Sequence, residues 1–234
     1  ISDTRLLQLI QNFLDQKIME ELREWTPIAG VPQGAVLSPV LSNLYLNPLD
    51  HMMADRGFEM VRYADDFVVL CRSESEAVSA LAMIRDWVEA AGLRLHPTKT
   101  KIVDSRTESF AFLGYSFRGE KIYPRRESLA KLKARLVKLT SRARSGSIET
   151  ICMELNSVLR GWFYYFRHCR WTIFVDLDSK IRSRLRRLLL RRHRNNPLRL
   201  PRQERWPNDY FAKAGLFSLR EAHNRFGQSH QGHY

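Results

Sequence analysis

The chain reads as α+β in its first half and all-helical in its second, and three observations predict that division. Strand-like runs alternate with helical ones up to about residue 124; from 127 onward the apolar residues recur only at helical spacing. Charge divides the same way, since residues 1–104 hold 10 Lys/Arg against 15 Asp/Glu, a net −5, and residues 105–234 hold 28 against 10, a net +18. The predicted organisation is a mixed domain over 1–124, a helical domain over 125–200 and a C-terminal tail over 201–234.

Taken in order, Leu6, Leu7, Ile10, Leu14 and Ile18 predict a helix over 4–24 that ends before Trp25 and Pro27. Gly30 to Gly34 is a glycine- and proline-bearing loop, and Ser38-Pro39 starts the next helix, with Ser as N-cap and Pro in the first turn. Leu41, Leu44, Tyr45 and Leu49 form its apolar stripe, and Pro48, lacking an amide donor, is expected to kink or end it. Ser73 with Glu76 is a capping-box pattern that opens a helix running to Gly92. Strand-like runs at 100–103, 110–117 and 121–123 complete what a single sheet would need. Leu129 to Leu139, Ile151 to Val158 and Leu177 to Leu188 then give three helices, enough for a small bundle.

Between two runs that read as buried strands, Phe58 to Arg62 and Phe67 to Cys71, stands Tyr63-Ala64-Asp65-Asp66. Only a tight turn fits there. Adjacent carboxylates repel one another and find no partner in apolar strands, so a cation is their natural counterpart, and magnesium is the expected one. A solvated turn is the plain alternative, because Asp tolerates turn dihedrals.

The ordered set around this hairpin resembles a reverse transcriptase. It comprises Gly30-Val31-Pro32-Gln33-Gly34, Leu41-Ser42-Asn43-Leu44-Tyr45, Gly92-Leu93-Arg94-Leu95, Lys99-Thr100-Lys101 and Phe112-Leu113-Gly114-Tyr115. Asn156 to Phe166, with Leu159-Arg160-Gly161-Trp162, resembles the maturase domain of group II intron proteins, and Trp206-Pro207, Tyr210-Phe211 and Gly215-Leu216 fit the same family. The resemblance implies a partial reverse-transcriptase palm, an antiparallel sheet with helices, followed by a helical thumb/maturase domain. It implies an RNA-directed DNA polymerase of group II intron type that also binds intron RNA and assists splicing. In that family a further catalytic Asp precedes the segment that here begins Ile1-Ser2-Asp3, so the chain is expected to be N-terminally shortened and to lack one protein ligand of a two-ion magnesium site. Asp3 resembles a structural Asp that follows that strand. The alternative is a fragment that binds intron RNA without polymerising.

Site roles follow from the same likeness. Asp65 and Asp66 are the expected metal ligands, with Asp65 coordinating directly, and two ions would stabilise charge on the attacking and leaving oxygens. Lys99 matches a lysine placed near the leaving pyrophosphate, although a solvated strand-edge lysine has the same appearance. Pro32, Gln33 and Gly34, with Ser38 and Asn43 behind them, would meet nucleotide and template. Leu113 and Gly114 would form the primer grip. Arg160 lies in the maturase-like stretch, and Arg182, Arg186, Arg187 and Arg191 fall largely off the leucine stripe of the last long helix, where a basic face would meet RNA phosphates. Such a face also serves solubility. Of Trp162, Phe163, Tyr164, Tyr165 and Phe166, most are expected in the core and one or two toward RNA.

Composition bounds the rest. With 234 residues and 44% hydrophobic content the chain can bury a core. No apolar run of eighteen residues occurs and no secretory leader pattern opens the chain, so cytoplasmic residence without membrane contact is expected. Cys71, Cys152 and Cys169 have no zinc-site spacing and are expected reduced and buried. His223, His230 and His233 read as surface residues. The expected partners are intron RNA, an RNA template with DNA primer and a dNTP, with a homo-oligomer or a completing polypeptide left open.

Overall fold

The computed structural model describes residues 3–14, 18–20, 23–25, 38–141, 143–192 and 201–230. They belong to two compact units, Ile1–Ile102 and Val103–Tyr234.

The first unit opens on α1, Thr4–Leu14. Asp3 caps it, its Oδ1 accepting the amides of Arg5 and Leu6 at 2.8 and 3.1 Å. The helix expected over 4–24 therefore stops early, and an antiparallel pair follows, β1 (Ile18–Glu20) with β2 (Arg23–Trp25). Ile18 sits opposite Trp25, so a residue that fits the helical period serves instead in a cross-strand pair. Next comes α2, Ser38–Asp55, with Pro48 inside it rather than at its end. The proline removes one helix hydrogen bond; Leu46, Leu49 and Met53, all buried, hold the turns around it against the core.

β3 (Glu59–Tyr63) and β4 (Asp66–Leu70) pair as an antiparallel hairpin, and α3 (Glu74–Ala90) follows. The Ser73 hydroxyl accepts the Glu76 amide at 3.2 Å, while the Glu76 carboxylate reaches one residue further back than expected, to the Arg72 amide at 2.6 Å. Gly92, at φ 71°, stops the helix, with the Leu93 amide donating to the Val88 carbonyl at 2.9 Å. Leu46, Leu49 and Met53 of α2 form one core with Ala80, Ile84 and Val88 of α3, closed by Met60, Phe67 and Val69 of the hairpin.

The expected strand over 100–103 is absent, and Ile102 stays exposed; strand-like composition needs a neighbour to pair with. In the second unit the run at 110–117 divides into β5 (Phe110–Phe112) and β6 (Tyr115–Arg118), which continue into β7 (Lys121–Pro124). The described strands thus form three separate sheets, of two, two and three strands, instead of one. Then come α4 (Arg126–Leu139), α5 (Ile148–Phe166) and α6 (Trp171–Arg192), the three expected helices. Leu132, Leu136, Leu155, Leu159, Phe163, Phe174, Leu177 and Leu185 make their shared core, and the three-stranded sheet packs on it through Tyr115 and Ile122.

Three further helices, α7 (Arg202–Arg205), α8 (Asn208–Lys213) and α9 (Leu219–His230), bring Trp206, Phe211 and Leu219 into that core. Asp178 of α6, 3% exposed, accepts from the Ser218 hydroxyl at 3.0 Å and from the Leu219 and Arg220 amides at 3.1 and 3.2 Å, so a buried carboxylate from one helix caps the start of another. Burial pushes its pKa up, against the pull of those donors and of Arg182. Asn156 of α5 clasps the turn before α9 with both ends of its carboxamide, to the Gly215 carbonyl and the Phe217 amide, each at 2.7 Å.

His223 is half-buried rather than a surface residue. Its ring lies 4.9 Å from that of Phe174, and burial lowers its pKa against a hydrogen bond with the Cys169 backbone. All three cysteines are free, with Cys152 and Cys169 buried and Cys71 only half-buried, where a packed position was expected for each. Burial pushes the Cys152 thiol up to about 11 and that of Cys169 to about 12. Among the described residues no helix is long and apolar enough to cross a membrane.

Candidate functional site

Strand register fixes the acidic turn. Tyr63 pairs with Asp66, leaving Ala64 and Asp65 as a two-residue loop. Ala64 takes φ 54°, the positive value that such hairpin turns require at their first loop position and that glycine usually supplies. For a residue with a Cβ that conformation costs about 1–2 kcal/mol. Asp65 at the tip and Asp66 beside it are both exposed, and among the described residues neither carboxylate is engaged in a hydrogen bond or an ion pair. Two free hard-oxygen donors on adjacent residues suit a magnesium ion, which is held by one or two carboxylates and keeps its other positions for water and phosphate. Among the described residues no third His, Cys, Asp or Glu joins them to complete a protein cage.

What holds the turn is Arg62. Alternation puts it with Met60 on the side of the hairpin that packs on α2 and α3, opposite Phe67 in register. A cation on a core face needs partners, and Arg62 has three. Its Nε donates to Asp50 Oδ1 at 2.7 Å and its Nη2 donates to Asp50 Oδ2, a two-point fork. Its Nη1 donates to the Asn43 side-chain oxygen at 2.9 Å and to the Ala64 carbonyl at 2.8 Å. The Arg62 side chain is 9% exposed, and hydrogen bonding to Asp50 raises its pKa further above the ordinary arginine value. Neither Arg62 nor Asp50 is among the site residues expected from the sequence. The signal was present in the strand alternation, which puts a charge where Met60, Phe67 and Val69 demand an apolar residue.

The other expected site residues disperse. Ser38 is the first residue of α2 and is half-buried, and Asn43, five residues on, is engaged by Arg62. Pro32, Gln33 and Gly34 lie outside the described residues. Lys99 is exposed in the turn where the Thr100 amide donates to the His96 carbonyl at 3.1 Å.

In the second unit Phe112 pairs with Tyr115 across a two-residue turn, Leu113 at φ 48° and Gly114 at φ 77°. Both residues have positive φ, the I′ pattern that suits strand twist. The turn is heavily tied. Tyr165 donates its hydroxyl to the Leu113 carbonyl at 2.8 Å, and the Gly114 carbonyl accepts the Arg125 amide at 2.7 Å and the Ser128 hydroxyl at 3.4 Å. Tyr115 donates to the Tyr165 carbonyl, and burial pushes the Tyr115 phenol up to about 12. A Cβ on Gly114 would meet Ser128 Oγ at 3.4 Å and the rings of Phe166 and Tyr165 at 3.8 and 3.9 Å, ordinary contact distances, so it is the positive φ that glycine serves here.

The arginines expected at RNA divide into two kinds. Arg186 is a structural residue: Nε donates to the Trp206 carbonyl and Nη2 to Asn208, each at 2.9 Å, its guanidinium lies 5.3 Å over the Phe211 ring, and burial lowers its pKa. Arg182 stands 3.9 Å from the Asp178 carboxylate. Arg160 is exposed with its guanidinium 5.2 Å over Phe217. Arg187 and Arg191 face solvent, the former touching only Ser183 at 3.3 Å among the described residues. Phe163 and Phe166 are core, Trp162 is half-buried, and Tyr164, Tyr165 and Trp171 are exposed.

The first unit thus carries a two-carboxylate hairpin braced by α2, and the second a mainly helical, basic body. Comparison with known proteins supplies the family. Residues 2–117 match the family described as Reverse transcriptase (RNA-dependent DNA polymerase), and residues 129–206 match the Group II intron, maturase-specific domain. The chain belongs to the group II intron reverse transcriptase/maturase family. Among its relatives are the uncharacterized 91 kDa protein in the cob intron of Schizosaccharomyces pombe, 24% identical over 81% of this chain and 35% of that protein, and the retron Ec86 reverse transcriptase of Escherichia coli, 28% identical over 66% and 44%. The group II intron-encoded protein LtrA of Lactococcus lactis subsp. cremoris is 42% identical over 21% of this chain and 8% of its own length. The chain thus spans less than half the length of each of these curated relatives.

Proposed function

We propose that this chain carries the acidic hairpin and the helical thumb/maturase portion of an RNA-directed DNA polymerase of group II intron type, and that the same helical portion binds intron RNA and assists its splicing. The observation that carries the reading is the pair of unengaged carboxylates, Asp65 and Asp66, on a turn held by a half-buried arginine. Magnesium, when bound, would lower the barrier to phosphoryl transfer by stabilising charge on the reacting oxygens. Asp65 would hold it directly with Asp66 beside it, and one ligand of a two-ion site is left to groups outside the described residues.

The other roles are assigned to residues by the chemistry they offer. Lys99 would offset charge on the departing pyrophosphate. Pro32, Gln33 and Gly34, with Ser38 behind them, would line the path of nucleotide and template. Leu113 and Gly114, fixed by Tyr165 and Ser128, would hold the primer end in one place. Arg187, Arg191 and Arg160 would neutralise RNA phosphates, and exposed Tyr164 and Trp171 offer ring faces on which unpaired bases stack. On this assignment the palm occupies 1–124, the thumb/maturase portion 125–200 and the tail 201–234.

Primer extension on an RNA template in magnesium tests the reading. Asp65→Asn should abolish extension while leaving RNA binding within about twofold, because phosphate contacts and not the hairpin supply affinity. An Asp65→Asn protein that extends at the wild-type rate overturns the assignment. RNA binding with no extension in the wild-type protein selects a maturase that does not polymerise.

A further inference from the structure

We propose that Arg62 is a positioning residue for the carboxylate pair, clamping the Ala64 carbonyl to α2 through Asp50 and Asn43 so that Asp65 and Asp66 keep the one geometry in which they hold a divalent cation. The inference rests on the reading of that pair as metal ligands; it gives a role at the site to Arg62 and Asp50, which had none, and makes Asn43 a support of the turn in place of a nucleotide contact.

Geometry makes the case. The β3–β4 sheet has only two strands among the described residues, and a two-stranded hairpin is marginal without outside support. Its turn also carries Ala64 at φ 54°, a conformation that persists only where the surroundings insist on it. Arg62 supplies that insistence. Four of its five N–H donors are spent, two on Asp50, one on Asn43 and one on Ala64. Because the guanidinium is planar and rigid, four acceptor atoms from three residues lie on one frame, and the carbonyl immediately before Asp65 cannot turn without breaking contacts to α2. Helix α2 is itself anchored by fully buried Leu49 and Met53, and the Tyr45 hydroxyl ties it to the Ala91 carbonyl at the end of α3, at 2.6 Å. The path from core to carboxylates is therefore unbroken: α2 core, Asp50 and Asn43, Arg62, Ala64, then Asp65. A lysine at 62 would keep the charge but present a single point, unable to hold Asp50 and Ala64 together.

The test uses Arg62→Lys and Asn43→Ala in the full-length protein, with fold checked by circular dichroism and with two readouts. The first is backbone cleavage around residues 63–67 by Fe²⁺, ascorbate and peroxide, in which the iron stands in for magnesium. The second is primer extension as a function of magnesium and dNTP. Wild type should cleave at the hairpin, and Arg62→Lys should need about tenfold more metal for the same cleavage. Its kcat should drop by about 100-fold, the scale of a misplacement near 1 Å, while KM for dNTP stays within about twofold. Asn43→Ala keeps the Asp50 fork and should show the same pattern at a few-fold. Unchanged metal dependence of cleavage in a folded Arg62→Lys protein overturns the inference and leaves the metal-site reading intact. Wild-type protein that shows neither hairpin cleavage nor extension sensitive to Asp65→Asn overturns both.

Discussion

Replacing Asp178 by alanine should destabilise the second unit by about 2–4 kcal/mol, and the figure follows from what the carboxylate holds. Three donors converge on it: the Leu219 amide, itself buried, and the Arg220 amide and Ser218 hydroxyl at partly buried positions. Leaving the Leu219 N–H without an acceptor costs about 1–3 kcal/mol. The lost cap on α9 adds about 1 kcal/mol. Some of this is offset because a desolvated charge disappears, the same desolvation that raises the pKa of Asp178. That offset makes Asp178→Asn informative. The amide keeps one oxygen for Leu219 and can donate to Ser218, leaving only Arg220 unserved, so its cost should be about 1 kcal/mol. Urea unfolding gives both values, and amide exchange should show α9 opening first in the alanine protein. An alanine protein within about 0.5 kcal/mol of wild type, or equal losses in the two variants, would refute the capping argument.

Three more predictions concern charge. Arg191→Ala should lower the slope of log affinity for RNA against log salt by about 1 with the fold untouched, as expected for a single phosphate contact. Arg186→Ala should instead lower stability, because it strips the Trp206 carbonyl and Asn208 of their donor; filter binding and thermal melts separate the two. For His223, burial holds the folded pKa below the ordinary 6.5, so the unfolded chain takes up the proton first. Its contribution to stability is complete above 6.5 and is lost as pH falls from there through the folded value. Urea midpoints between pH 7.5 and 5.5 should fall, and His223→Gln should flatten that part of the decline.

Long helices were legible because their apolar residues repeat over several turns, as in Leu177, Ile181, Leu185 and Leu188, all buried. Short elements were not. Ile18 suits a helix and a strand equally, and only its pairing with Trp25 decides. Pro48 reads as a helix breaker locally, yet fully buried Leu49 and Met53 carry the helix past it. Three sheets replace one because strand-like composition says nothing about which strands meet. At the site, Asp65 and Asp66 were legible as a motif, whereas their support was not, since Asp50, Asn43 and Arg62 are brought together only by α2 folding over the hairpin. Arg186 misled for the same reason. A position off the leucine stripe faces water on an isolated helix, but here the segment through Trp206 and Phe211 packs back over it.

The buried thiols of the helical unit have a practical corollary. With pKa values near 11 and 12, Cys152 and Cys169 present about one thiolate in 10⁴ and one in 10⁵ at neutral pH, and the thiolate is the form that reacts. Maleimide and iodoacetamide should therefore pass over both while the protein stays folded. A single cysteine placed at exposed Tyr164 would then carry a fluorophore almost alone in its unit, reporting the arrival of RNA on that surface without removal of either native thiol.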